Sequence, residues 1–453
     1  MNHQSAIFLT ALLLIAGMSG AQPRRAMGGP PGAAERGVLY YDALSLPGDN
    51  DERSRVDVLY RIDQEFLIPV KKNDPAFAFA FRREGELLIE LLDSTGVSKA
   101  RDIRRFDIGA QTEEEHLETK QWFEGIATFS VLPGTYTIVI ELDDVQSNRK
   151  FLDRKRTILA KRYAGTSCQV SSPMIVMWPP AEGTLIPQNF DGNLLFGSTA
   201  AVYCEMAGTA VTMDSVRVQY TLNQFSPGTE KTLTFADSMI SVVPTATTIV
   251  ADQSQEGRAH YSIRTSTRAN HNAFLVPLPS AAFPLRRFTL ALKVHQATTT
   301  VSVDHPLAVL WPDMPLSLRD VDYAIDALRY ITTEQTRDSL QQGSFEERRD
   351  HLEQFWKARD KTPATAYNEV MTEYYTRVDY AARMFSTLRE PDGSRTDRAK
   401  VYILYGPPSK TDRTLDPDGG FKEVWLYENL HKEFLFADQG KSGNYVLISS
   451  RSI

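Results

Sequence analysis

The feature that most constrains the fold is a change of hydrophobic period at Trp311-Pro312. Upstream of it, apolar residues recur at every second position. Val56, Val58, Tyr60 and Ile62 do so in RVDVLYRI (55–62), Phe77, Phe79 and Phe81 in AFAFAF (76–81), and LLIELLD (87–93) follows. Period two is the mark of a strand with one buried face. FEGIATFSVLPGTYTIVIELDD (123–144) reads as two strands around Leu132-Pro133-Gly134, where Pro fixes φ and Gly accepts a positive one. Short alternating strands with turn punctuation predict a β-sandwich over residues 38–164. AVYCEM (201–206), VRVQYTL (216–222), RFTLALKV (287–294) and TTTVSVDH (298–305) predict a second β-sandwich, Ig-like in general shape, over 165–310.

Downstream the period becomes helical. Ser317, with Asp320 three residues on, reads as a capping box, and Val321, Ala324, Ile325, Leu328 and Ile331 then fall at helical spacing. Ser344 and Glu347 repeat the device ahead of a face bearing Arg348, Leu352 and Phe355. PATAYNEVMTEYYTRVDYAARMF predicts the longest helix, about 20 residues, striped by Tyr367, Val370, Tyr374, Val378, Ala381 and Phe385. After Pro391-Asp392-Gly393 period two returns. KVYILY (400–405), EVWLYE (423–428), EFLFAD (433–438) and YVLISS (445–450) predict an antiparallel four-stranded meander, with Gly406-Pro407-Pro408 stopping the first strand. Residues 311–453 therefore read as an α+β domain with a helical segment. One parity of its strand aromatics must be core. The other, with Tyr402, Leu404, Trp425 and Tyr427, is either an exposed contact patch or a covered face.

The chain start reads as an export signal over residues 1–21. Ile7 to Ala16 is apolar, and Ser19-Gly20-Ala21 offers small residues for cleavage. Residues 22–37, rich in Gly, Pro and Ala, read as a flexible lead-in. The apolar run is short for a membrane anchor. Met18 stands where a lipid-accepting Cys would have to be, and no Cys precedes Cys168. The expectation is an exported chain, periplasmic or extracellular, not lipid-anchored through an N-terminal Cys. The mature chain is expected to have no transmembrane segment and no separate sorting domain after the last strand. The 50 basic and 57 acidic residues are well mixed, with net charge −7, which argues against a nucleic-acid partner. In an oxidising compartment Cys168 and Cys204 are either a disulfide or two buried or distant thiols.

Residues from about 314 to 450 resemble the GWxTD domain of exported bacterial proteins. The resemblance runs in order through SLRDVDYAIDALRYI, FEERRDHLEQFWKARDKTPATAYNEVMTEYYTRVDYAARMFS, TDRAKVYILYGPPSK, EVWLYENL and EFLFAD. The naming motif is Gly393-Ser394-Arg395-Thr396-Asp397, with Ser394 where the family has Trp. The resemblance implies export and no particular activity. Catalytic signatures are missing from the sequence: there is no GxSxG, HExxH, Walker loop or GxGxxG, and no two of the eight His share ligand spacing on a helix. No cofactor or metal is expected. The candidates that stand out are Phe355, Trp356, Arg359 and Asp360, read as a binding corner at a helix end or as core packing with a fixed loop. Gly393, Thr396, Asp397, Arg398, Tyr405, Gly406, Pro407 and Pro408 form the motif candidate. LDPDGG (415–420) reads as a hairpin turn. The expected function is an exported non-enzymatic protein, structural or binding a protein or cell-envelope partner. The alternative is an envelope hydrolase with its site near Asp397 and Arg398.

Overall fold

The computed structural model describes residues 37–71, 81–110, 122–191, 193–208, 211, 214–224, 233–252, 258–296, 299–311, 313–415, 420–438 and 440–453. The export signal, the lead-in up to residue 36, Phe77, Phe79, Pro312 and residues 416–419 of LDPDGG lie outside the described residues.

RVDVLYRI lies within the strand Ser54–Asp63, paired with Leu39–Pro47 on one side and Trp122–Val131 on the other. Its even positions Val56, Val58, Tyr60 and Ile62 enter one core. There they meet Leu87, Ile89 and Leu91 of Phe81–Leu92 and Ile138, Ile140 and Leu142 of Gly134–Asp144. These last two strands pair with each other in a six-stranded sheet. The 123–144 run thus gives two strands, but they do not form a hairpin: its halves belong to different sheets. The turn at Leu132-Pro133 carries the chain across the core, and the Tyr136 hydroxyl ties that crossing by donating to the Leu132 carbonyl at 2.8 Å.

The opposite face of this three-stranded sheet meets a second core. Leu59 and Ile126, with Leu44 and Leu46, pack against Met174, Val176, Tyr203, Ile249 and Tyr261. The two β-rich stretches therefore share a core instead of meeting through a linker. Ala200–Ala207 is buried along its whole length. It pairs with His271–Leu278 and Met174–Met177, points Ala201 and Tyr203 into the shared core, and turns Val202, Cys204 and Met206 the other way. That far side is closed by a five-stranded sheet with Val218, Leu222, Leu290, Leu292 and Val294.

Cys168 and Cys204 are free, buried thiols. Gln169 and Val170 pair with Ala207 and Met206, which sets Cys168 opposite residue 208, four places from Cys204. At a rise of about 3.4 Å per residue that separation is roughly 13 Å, beyond the Cα span a disulfide bridges.

The C-terminal segment packs five helices against a sheet: α1 (Val321–Ala327), α2 (Glu334–Leu340), α3 (Phe345–Lys357), α4 (Glu369–Met384) and α5 (Asp397–Tyr405). The Ser344–Glu347 capping box is present in full at the start of α3. Ser317 is no cap. It is buried in a short 3-10 turn, and Asp320 itself caps α1 by accepting the Asp322 and Tyr323 N–H groups. The long helix is 16 residues, because the Asn368 side chain caps it at Met371 and leaves Tyr367 outside.

The largest departure is KVYILY, which is helical, not a strand. The Thr396 hydroxyl accepts the Ala399 N–H at one end, and Gly406 ends the helix at φ 81°. Pro407 and Pro408 follow with no N–H to extend either a helix or a ladder. The meander keeps four strands, but its first is Lys410–Leu415. It pairs with Phe421–Tyr427, then Lys432–Asp438, then Val446–Ser452. Trp425 and Tyr427 are core residues of its helix-facing side, and Tyr402 stacks on Tyr380 at 4.4 Å. That quartet therefore forms no exposed patch.

Candidate functional site

The motif residues are engaged by one another and by neighbouring helices and strands. Gly393 lies so close to the end of α4 that a Cβ there would sit 2.4 Å from Ser386 N and 2.5 Å from the Ala381 carbonyl. Ser394 is buried, its hydroxyl 3.1 Å from that of Tyr323, and its carbonyl accepts from the Tyr330 hydroxyl at 2.7 Å. Position 394 thus holds a small polar residue pinned by two tyrosines. The Thr396 hydroxyl donates to the Gly393 carbonyl at 2.9 Å while capping α5. An Asp397 oxygen accepts the Leu447 N–H at 2.8 Å, clamping the last strand to α5.

Arg398 is buried between the helices and the sheet. It pairs with Glu423 at 3.4 Å, donates to the Gly443 carbonyl at 3.3 Å, and lies over the rings of Phe385 and Tyr445. Burial lowers its guanidinium pKa, opposed by the Glu423 charge. Glu423 also accepts from the Trp425 indole at 2.8 Å. Tyr405 packs on Tyr427 and Phe434, and the Gly406 carbonyl accepts from the Tyr427 hydroxyl. Asp397 and Arg398 are thus held by different partners, the Leu447 N–H for the one and Glu423 with the Gly443 carbonyl for the other.

The second sequence candidate divides. Phe355 is core, with Arg359 stacked 3.6 Å from its ring centroid and bonded to its carbonyl. Trp356 is core too, and with Asp360 it also lines a cavity of about 360 Å³ between the α3 face and the second β-rich stretch. Phe196, Leu285 and Trp311 form its wall on the β side, and Leu318 and Leu352 join Trp356 on the helical side. The joint is held by an aromatic triad: Phe196 lies 5.1 Å from Trp311, and Tyr367 lies 5.7 and 5.6 Å from the two. The Ala366 N–H also donates to the Ala281 carbonyl at 2.7 Å.

Sequence reasoning missed the charged part of this cavity, Arg286, Arg319, Arg349 and Lys357. A signal for Arg349 was present. Phe345, Arg349, Leu352, Glu353 and Trp356 recur at i, i+4, i+7, i+8 and i+11, one face of α3, and all five line the cavity. Arg348 points elsewhere and pairs with Asp322 at 2.8 Å.

A buried polar line also runs through the shared β core. Ser266 Oγ is 2.9 Å from His271 Nδ1, and His271 Nε2 is 3.0 Å from Glu205 Oε2. The order resembles a nucleophile–base–acid relay, but its members are otherwise committed. Ser266 Oγ accepts the Arg268 N–H, and Glu205 accepts from Tyr203, Thr248 and the Ile249 N–H. The line is the satisfied environment of a buried carboxylate. Among the described residues no three His, Cys, Asp or Glu side chains gather as a metal site, and no helix is long and apolar enough to cross a membrane.

Fold and motif together define a layered antiparallel β protein that ends in an α+β module braced by its own motif. Residues 294–452 match the family model of the GWxTD domain, so the chain carries a GWxTD domain. The match reaches upstream of the helices and takes in the strand Thr299–Leu310, which is part of the β-layer. A comparison with curated proteins finds no match to the chain.

Proposed function

We propose that this chain is an exported, non-enzymatic protein of the bacterial cell envelope, with a structural or partner-binding role. In this reading residues 1–21 direct export and 22–37 form the lead-in. Two Ig-like sandwiches, 38–164 and 165–310, carry the α+β domain 311–453, which engages a protein or envelope component. The Tyr136 tie across the 132–134 corner supports the Ig-like assignment, since such sandwiches use a tyrosine at this kind of crossing.

The observation that carries the non-enzymatic reading is the commitment of Thr396, Asp397 and Arg398 to caps, strand clamps and a buried ion pair. A hydrolase at this place would need a carboxylate aimed into a cleft. Cell fractionation with crosslinking and affinity capture tests the proposal. The expected result is the mature chain outside the cytoplasm, crosslinked to a defined envelope component. A cytoplasmic location, or hydrolytic activity abolished by Asp397→Asn in a folded variant, would refute it.

A further inference from the structure

We infer that the cavity between α3 and the second β-rich stretch binds an amphiphile with an apolar body and one anionic head. Its interior is apolar: Trp311, Leu318, Leu352 and Trp356 are buried side chains. Its volume of about 360 Å³ is in the range of small-ligand sites, which are mostly apolar with a few placed polar groups.

The charge of the lining does not balance. Four basic side chains, Arg286, Arg319, Arg349 and Lys357, line the cavity against two acidic ones, Glu353 and Asp360. Both acids are already engaged. Asp360 accepts the N–H and hydroxyl of Thr362, and Glu353 lies 3.8 Å from Arg349, which pairs more closely with Glu346 at 2.6 Å. Among the described residues Arg286, Arg319 and Lys357 make no side-chain hydrogen bond or ion pair. The Nε atom of Arg319 is buried without an acceptor, and the buried Arg349 Nε has only the Glu353 carboxylate, at 3.8 Å, too long for a hydrogen bond. Buried donors without acceptors are costly, and a carboxylate or phosphate supplies acceptors to arginine forks in a bidentate way. A neutral apolar ligand would fill the interior and leave those donors unmet. A cationic amphiphile would be repelled by them. The occupant is therefore an anionic one, whether its head is a carboxylate or a phosphate.

This inference is independent of where the protein resides, so its test and the fractionation experiment fail separately. The test is calorimetric titration of the full chain with decanoate, decyl phosphate, decanol and decyltrimethylammonium, each below its micelle-forming concentration. Saturable one-to-one binding of either anion, at least tenfold tighter than decanol, supports the proposal, and the tighter anion names the head group. Arg286→Ala combined with Lys357→Ala, two exposed side chains that make no hydrogen bond or close ion pair, should weaken anion binding at least tenfold and leave decanol unchanged. Ala366→Phe, which fills the cavity from its rim, should abolish binding of both. No saturable anion binding, equal affinity for decanol and decanoate, or anion binding indifferent to the double variant would overturn it.

Discussion

Arg398 reaches four partners from one helix position: the Glu423 carboxylate, the Gly443 carbonyl, and the rings of Phe385 and Tyr445. Truncating it leaves the buried Glu423 with the Trp425 indole and the largely exposed Arg413, 3.6 Å away. Arg398→Ala is expected to cost about 3 kcal/mol, the low end for a broken buried pair, since Arg413 still faces Glu423. Arg398→Lys keeps the charge but loses the planar stacking, so it should fall between the two. The midpoint of urea unfolding measures both. Glu205 carries a second residue-level prediction, in pH. Burial alone would raise its carboxyl pKa. The His271 hydrogen bond, with the Arg55 charge and Thr248, outweighs burial and holds the pKa below the ordinary 4.5. A lowered folded pKa adds stability above the unfolded value, and that stability is lost as pH falls through the folded value. Glu205→Gln should therefore lower the melting temperature at pH 7, and the gap from the wild type should narrow below about pH 4.5. A gap constant from pH 7 to pH 3 would contradict the assignment.

At the scale of elements, α5 shows what was legible and what was not. Val401 and Ile403 alternate, and β-branched residues favour strands, so KVYILY reads as a strand on its own. The boundary signals said otherwise. Thr396 and Asp397 at one end and Gly406 at the other frame nine residues, a helix of ordinary form. The context decides: Arg398 is buried together with Ala399, Val401 and Ile403 against α4 and the sheet, so the buried set spans both strand parities and suits a helix. Two predictions separate the cap from the close contact. Thr396→Ala removes the cap and should cost about 1 kcal/mol. Gly393→Ala should cost clearly more, because its Cβ meets backbone atoms of α4 instead of a flexible side chain. Comparison of the two denaturation midpoints checks the order. The α3 capping box was legible for the same reason that the cavity's basic rim was not. Ser344 and Glu347 satisfy each other within one turn. Arg286 and Arg319 acquire meaning only when distant elements meet.

At the scale of the whole molecule, the alternating pattern was readable one face at a time. RVDVLYRI announces the face bearing Val56, Val58, Tyr60 and Ile62, but Leu59 and Asp57 on the opposite face are also buried. That second burial exists because another sheet covers it, a fact of tertiary packing that no local period encodes. Arg55 and Asp57 reach across the shared core to the Ile249 carbonyl and the Tyr261 hydroxyl. Leu59 and Ile126 pack there with residues from the later stretch. The two β-rich stretches should therefore unfold as one cooperative unit although each has a core of its own. Leu59→Ala, at a fully buried position in the shared core, should cost about 2–5 kcal/mol and shift the unfolding of both stretches together. A fragment of residues 38–164 would expose Leu44, Leu46, Leu59 and Ile126 as a new apolar face and is expected to aggregate, whereas 38–310 keeps that face covered. Calorimetry of the 38–310 fragment decides the matter. A single endotherm that moves as a whole with Leu59→Ala is the expected outcome, and two endotherms of which only one moves would show that the shared core does not couple the layers.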